Sequence, residues 1–226
     1  MGSFINNLHI RGSDRDAVVR ALQSLRAPPA YVGAPAASTW INVYPKEQEN
    51  EPDSLWAITA SLSHLLACPA IGFSIYDSDV FWYVLYDRGE VIDAYDSAPG
   101  YFDSPGQAPQ GGNVERLQRY SVNGTTVQDL DAILHPKLKT GSMADELIAR
   151  LRQGQPGLFE NHPEKEAEIR RQFAELGAKT GEPEPALGVD PTAANGSYRY
   201  ISQGDNDLTG LLLVEGDKVG PFKPAR

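Results

Sequence analysis

Within "IGFSIYDSDVFWYVLYDRGEVIDAYDS", Ile71 to Ser97, the part from Tyr76 to Ser97 alternates aromatic residues with carboxylates more densely than any other part of the chain. Three runs of strand length stand out, Ile71–Tyr76, Val80–Tyr86 and Glu90–Tyr95, each rich in β-branched and aromatic residues. "DSD" joins the first two and "DRG" the second two, where Gly89 is free to take positive φ. The pattern predicts a three-stranded antiparallel meander. Alternation places Ile71, Phe73 and Ile75 on one face, and Phe81, Tyr83 and Leu85 on one face of the next strand. Trp82, Val84 and Tyr86 take the opposite side. Large apolar groups on both faces predict a central strand covered on both, with most of these aromatics in the core.

Working outward from the meander, "FINNLHI" (Phe4–Ile10) reads as an opening strand. A helix follows, with Ser13 and Asp16 as a variant capping box and Val18, Leu22 and Leu25 on one face. Pro28 and Pro29 stop it. "TWINVYP" (Thr39–Pro45) is strand-like, and a second helix, capped by Asp53 or Ser54, has Leu55, Ile58, Leu62 and Leu65 as its expected buried stripe. The order β-α-β-α-β-β-β predicts an α+β fold with an antiparallel or mixed sheet over residues 1–103. Residues 104–226 read as a mainly helical region packed on the first as one unit. Its candidate helices are Val127–Leu134, Met143–Leu151 and Glu164–Leu176, and "SYRYIS" with "GLLLVEG" suggests a closing hairpin.

Twenty basic and 30 acidic side chains give 226 residues a formal net charge of −10. Nucleic-acid binding requires phosphate neutralisation by Lys and Arg, so it is not expected. No apolar run approaches the roughly 18 residues that a membrane-spanning helix needs, and "MGSFINNLHI" lacks the apolar core of a signal peptide. The expected setting is the cytoplasm, without membrane contact. The single cysteine, Cys68, excludes an intrachain disulfide and any Cys-based zinc cluster.

Motifs of recognised chemistry are missing from the sequence. There is no HExxH, GxSxG, GxxxxGK[ST] or GxGxxG. "DNDLTGLLLVEG" opens like a calcium-binding loop, with Asp205, Asp207 and Thr209 at the first, third and fifth positions. Gly216, however, stands where the twelfth position needs a bidentate Glu. His64 one helical turn before Cys68 has the spacing of a nucleophile and its base, although a thiol ending an amphipathic helix is ordinarily structural. Neither a metal nor a cofactor is expected.

Asp77, Asp79 and Asp87 are ordinary turn residues, since a short carboxylate accepts bonds from nearby amides. Asp93 falls inside a strand, where aspartate is disfavoured unless exposed or paired. Antiparallel pairing gathers Asp77, Asp79 and Asp96 at one end of the sheet, next to Tyr101 and Phe102 of the following loop. Those five residues are the candidate binding surface.

"SDVFWYVLYDRGEVIDAYDSAPGYF" (Ser78–Phe102), with "HIRGSDRDAVVRAL", "QGGN" and "SYRYISQGD", resembles a family of uncharacterised bacterial proteins of the pattern SDVxxYxLYDxGExxDxYxSxPxYF. The resemblance implies one integrated fold and no particular chemistry. With negative charge and no catalytic constellation, the expected function is a non-catalytic acidic binding protein of the bacterial cytoplasm, immunity- or adaptor-like, for a basic protein partner. The alternative is a metal-dependent enzyme using the Asp77–Asp96 carboxylates.

Overall fold

The computed structural model describes residues 4–33, 39–46, 52–76, 80–103, 107–122, 124–135, 147–152, 159, 162, 164–178, 187, 198–203 and 211–221. In chain order the elements are β1 (Ile5–Arg11), α1 (Arg15–Ser24), β2 (Ala30–Gly33), β3 (Trp40–Pro45), α2 (Pro52–Leu66), β4 (Pro69–Tyr76), β5 (Val80–Asp87), β6 (Glu90–Asp96), β7 (Gln110–Gly111), α3 (Val114–Gln118), α4 (Val127–Leu134), β8 (Leu212–Glu215) and β9 (Lys218–Pro221). Further helical segments cover 147–152, Glu164–Ala178 and Tyr198–Gln203. The fold is α+β, and the nine strands among the described residues form one sheet in the order β7-β6-β5-β4-β1-β3-β2-β8-β9. Every described pairing is antiparallel.

The meander is as expected: β4, β5 and β6 are consecutive neighbours. Arg88 (φ 54°) and Gly89 (φ 87°) form the β5–β6 turn with positive φ at both central residues, the twist-matched arrangement for a two-residue hairpin. The Gly89 N–H donates to Ser63 Oγ at 3.1 Å, which fastens this turn to α2.

Two apolar layers hold the sheet. On one face α1 and α2 bury Val18, Val19, Leu22, Leu55 and Leu62 against Leu8, Ile10, Val32, Val43 and Ala70. On the other, Leu117 of α3, Leu130 and Leu134 of α4, and Leu187 pack on Ile71, Phe73, Phe81, Tyr83, Leu85 and Tyr95. Burying a side chain of this size contributes about 1.5–3 kcal/mol, so the two layers together make up most of the driving force.

Five expectations need correction. α2 begins at Pro52, so Asp53 and Ser54 lie inside its first turn instead of capping it. β2 was not anticipated; it pairs with β3 and β8 and makes the order β-α-β-β-α-β-β-β. Asp14, not Ser13, caps α1, its Oδ1 accepting the Ala17 N–H at 2.7 Å. Leu65 is 50% exposed, because α2 faces the sheet through Leu55, Thr59 and Leu62. Of "SYRYIS", the described residues belong to the helix Tyr198–Gln203 and not to a hairpin strand: it turns Ile201 onto Tyr31, Tyr44 and Leu211, and the closing hairpin is β8–β9 alone.

Candidate functional site

The α1/α2 face of the sheet changes character along the strands. One row of directly opposed residues crosses four strands as Leu8, Gly72, Val84 and Ala94, small or apolar throughout. The adjacent row on the same face runs Asn6, Ser74, Trp82, Asp96 and Gln110 across five strands, polar except for one indole. Asn6 Oδ1 is buried and has no hydrogen-bond partner. An unmet buried acceptor costs on the order of 1–3 kcal/mol, so this row is not arranged for stability alone.

Above these rows lies a cleft of about 430 Å³, lined by Pro52 and Trp56 of α2 and by Trp82, Val84, Ala94, Asp96 and Gln110 of the sheet. Gly72 is the seat of Trp56: a Cβ there would stand 2.9 Å from the indole Cζ3 and 3.0 Å from Thr59 Oγ1. Glycine in the middle of a strand is unfavourable unless something must approach closely, and here the six-membered ring of an indole does so.

Beyond the polar row the sheet ends in a ring cluster. Tyr76 meets Phe4 edge-on at 4.9 Å, Phe102 at 5.0 Å and Tyr101 at 6.2 Å, and Tyr101 meets Phe102 at 5.2 Å. The chain leaving β6 is held there by local bonds: Phe81 N–H donates to Ser97 Oγ at 2.8 Å, and Tyr101 N–H to the Ala98 carbonyl at 3.1 Å. Phe102 is nonetheless 63% exposed. It is a large ring held by its neighbours yet turned to solvent.

Of the five sequence-predicted residues, Asp96, Tyr101 and Phe102 lie at this end of the sheet. Asp77 and Asp79 fall outside the described residues, as do Asp205, Asp207 and Thr209. Asp96 Oδ1 accepts the Ala98 N–H at 2.9 Å, so turn chemistry occupies part of its capacity. Asp93 has a structural role: its Oδ2 accepts the buried Tyr83 hydroxyl at 2.7 Å and its Oδ1 the Asn113 N–H at 3.1 Å. Burial, reinforced by the Asp93 charge, pushes the Tyr83 hydroxyl far above its ordinary pKa. Burial and then Asp96 push Tyr95 up to about 12; its hydroxyl donates to the Leu134 carbonyl at 2.8 Å. These tyrosines are anchors between sheet and helices.

The Cys68–His64 pair does not form a nucleophile and base. Burial, then the Asp87 charge, pushes the Cys68 thiol up, which disfavours the thiolate. His64 Nδ1 lies 3.3 Å from the Arg88 carbonyl, against the hairpin turn. Among the described residues no group of three or more His, Cys, Asp and Glu is placed to hold a metal ion.

One polar group that sequence reading missed sits on the opposite face. His9 is fully buried between Asn42 Oδ1, 2.8 Å from Nδ1, and Asn7 Oδ1, 2.8 Å from Nε2. Desolvation pulls its pKa down to about 4, with the Asn42 hydrogen bond opposing. The signal was the i, i+2 spacing of Asn7 and His9, which sets both on one strand face. Beside it, Arg11 donates to the Tyr120 carbonyl at 2.6 Å and lies over the Trp40 ring, 5.7 Å from its centroid.

Comparison with known protein families, characterised proteins and solved structures finds no significant match to this chain. Among the described residues no helix is long and apolar enough to cross a membrane.

Proposed function

We propose that this protein is a non-catalytic binding module of the bacterial cytoplasm, immunity- or adaptor-like, that recognises a basic protein partner through the end of the sheet bearing Asp96, Tyr101 and Phe102. The observation that carries this reading is Phe102, braced by Tyr76 and Tyr101 yet 63% exposed, at the exit of the strand that ends in Asp96, in a protein of net charge −10. Long-range attraction steers a cationic partner toward an acidic surface and raises its association rate, and the rings supply contact area after docking. Against the metal-dependent alternative, Asp93 is taken up by Tyr83 and Asn113, and Asp96 in part by its own turn.

Partners captured with the wild-type protein provide the test, through rate measurements at low and high salt. Asp96→Asn keeps the turn-forming oxygen and is expected to slow association two- to fivefold and to flatten its salt dependence. Phe102→Ser is expected to leave association nearly unchanged and to speed dissociation at least tenfold. Unchanged rates for both variants would refute the proposed surface.

A further inference from the structure

We infer that the cleft between Trp56 and Trp82 receives an arginine side chain of the partner, with Asp96 as the counter-charge; this rests on the reading that the acidic end of the sheet binds a basic protein. Its volume of about 430 Å³ lies at the low end of the roughly 300–1,000 Å³ of sites that enclose small ligands.

The lining has the chemistry of a guanidinium site. Indole is the best aromatic partner for a cation, and a planar guanidinium also stacks on it. The aliphatic stem of an arginine finds apolar cover on Pro52, Val84 and Ala94. Asp96 lines the same cleft, and a carboxylate has about four acceptor positions, of which the Ala98 N–H takes one. The fork of a guanidinium matches the remainder in geometry and charge. Net charge of −10 works against an anionic occupant at the same place.

The site is also built rather than incidental. Trp56 can lie against β4 only because residue 72 is glycine. Trp82 sits on β5 directly opposite Asp96 of β6, so the pairing that forms the sheet fixes ring and carboxylate side by side. Trp82 of the cleft pairs with Ser74 of β4, two residues before Tyr76 of the ring cluster, so one extended basic segment can engage both.

Three tryptophans make the test specific. Trp56 and Trp82 line the cleft, whereas Trp40 is fully buried and its indole N–H donates to the Leu187 carbonyl at 2.9 Å. Indole N–H resonances of full-length protein are followed by NMR during titration with acetyl-(Gly-Arg)3-amide and with the Glu and Leu counterparts. The arginine peptide is expected to shift the Trp56 and Trp82 signals saturably and to leave Trp40 in place. Asp96→Asn is expected to weaken the peptide at least threefold, and Trp82→Leu at least tenfold. Trp56→Phe, which keeps a ring on Gly72, is expected to weaken it two- to fivefold while holding the fold.

Equal shifts with the Leu or Glu peptide would overturn the inference, leaving a generic groove. So would an arginine peptide that leaves both cleft indoles unmoved. If that peptide instead perturbs only the Tyr101 and Phe102 signals, the cleft assignment fails while the binding surface stands. A peptide that perturbs neither region, together with unchanged partner rates for the surface variants, would refute both.

Discussion

Burying His9 makes the stability of this protein pH-dependent in a calculable way. The ring is fully buried, lies 5.2 Å from the Phe73 ring, and has only amide groups for hydrogen-bond partners. A neutral imidazole offers one N–H and one lone pair, so one of the two amides must turn its NH2 toward the ring while the other accepts. Both amide oxygens toward the ring would suit an imidazolium, but a buried cation with no counter-charge is much more costly than a half-turn of an amide. Burial therefore prevails, and the folded-state pKa falls from 6.5 to about 4.

The sign follows directly. Above pH 6.5 the ring is neutral in both states and contributes no slope. Between pH 6.5 and about 4 the unfolded chain takes up a proton that the folded chain refuses, so stability falls as pH falls. The full loss, reached below the folded pKa, is the difference between 6.5 and about 4 at about 1.4 kcal/mol per pH unit, or about 3 kcal/mol. About 2 kcal/mol of it should be gone by pH 5. Other groups titrate in the same range, so the comparison is with His9→Gln, which lowers stability by some constant amount and carries no proton. Urea unfolding of both proteins at pH 7.5, 6, 5 and 4.5 should show the gap between them narrowing by about 2 kcal/mol from the first pH to the third. Parallel pH profiles, or a His9 pKa of 6.5 or higher by NMR titration, would refute the reasoning.

Three further outcomes are expected. Gly72→Ala places a Cβ 2.9 Å from Trp56 Cζ3, so the indole should swing off the sheet, with red-shifted tryptophan emission and a stability loss of about 1 kcal/mol in chemical denaturation. Asp93→Ala strands the buried Tyr83 hydroxyl and the Asn113 N–H, which should destabilise the fold by about 2–4 kcal/mol; Asp93→Asn, keeping one acceptor, should recover more than half of it. Asn6→Leu removes the partnerless Oδ1 and should raise stability by about 1 kcal/mol, read from the urea midpoint at unchanged slope.

The meander was legible because its signal is local: alternation along each strand and turn residues between them. β2 was not, since "AYVG" is four residues long, too short to alternate convincingly, and it is a strand through its bonds to β3 and β8. Strand order is equally non-local; nothing in the sequence sets β1 between β4 and β3. Tyr198–Gln203 shows context overriding propensity, since two tyrosines and an isoleucine favour a strand, yet one short helix buries Ile201 on Tyr31 and Tyr44. Leu65 shows how a stripe drifts: Ser63 is buried instead, because its Oγ donates to the Cys68 carbonyl and accepts from Gly89. Of the candidate site, the carboxylate and rings of Asp96, Tyr101 and Phe102 were legible from hairpin pairing alone. The Trp56 wall was not, since it depends on where α2 crosses the sheet.

That crossing decides which residues of one sheet face become core and which become surface. Ser63 reaches the β5–β6 turn and Trp56 lies over Gly72, seven residues apart along the helix. At about 1.5 Å per residue this is about 10 Å, matched on β4 by the three residues from Pro69 to Gly72 at about 3.4 Å each. The helix axis therefore follows the strands, with its chain direction opposite to that of β4. Four more residues, about 6 Å, bring Pro52 level with the Ser74–Trp82 row, and there α2 begins. Rows beneath the helix are apolar or glycine, whereas the row at its start holds Asn6, Ser74, Asp96 and Gln110. Alternation within a strand says which face a residue takes; the start of α2 says whether that face is covered. Trp82 stands at this boundary, lining the cleft with a half-buried ring directly opposite the Asp96 carboxylate. Core packing alone would favour an aliphatic residue at position 82 and a neutral one at 96, so this row is the part of the fold that its architecture does not explain and for which the proposed cation site offers a reason.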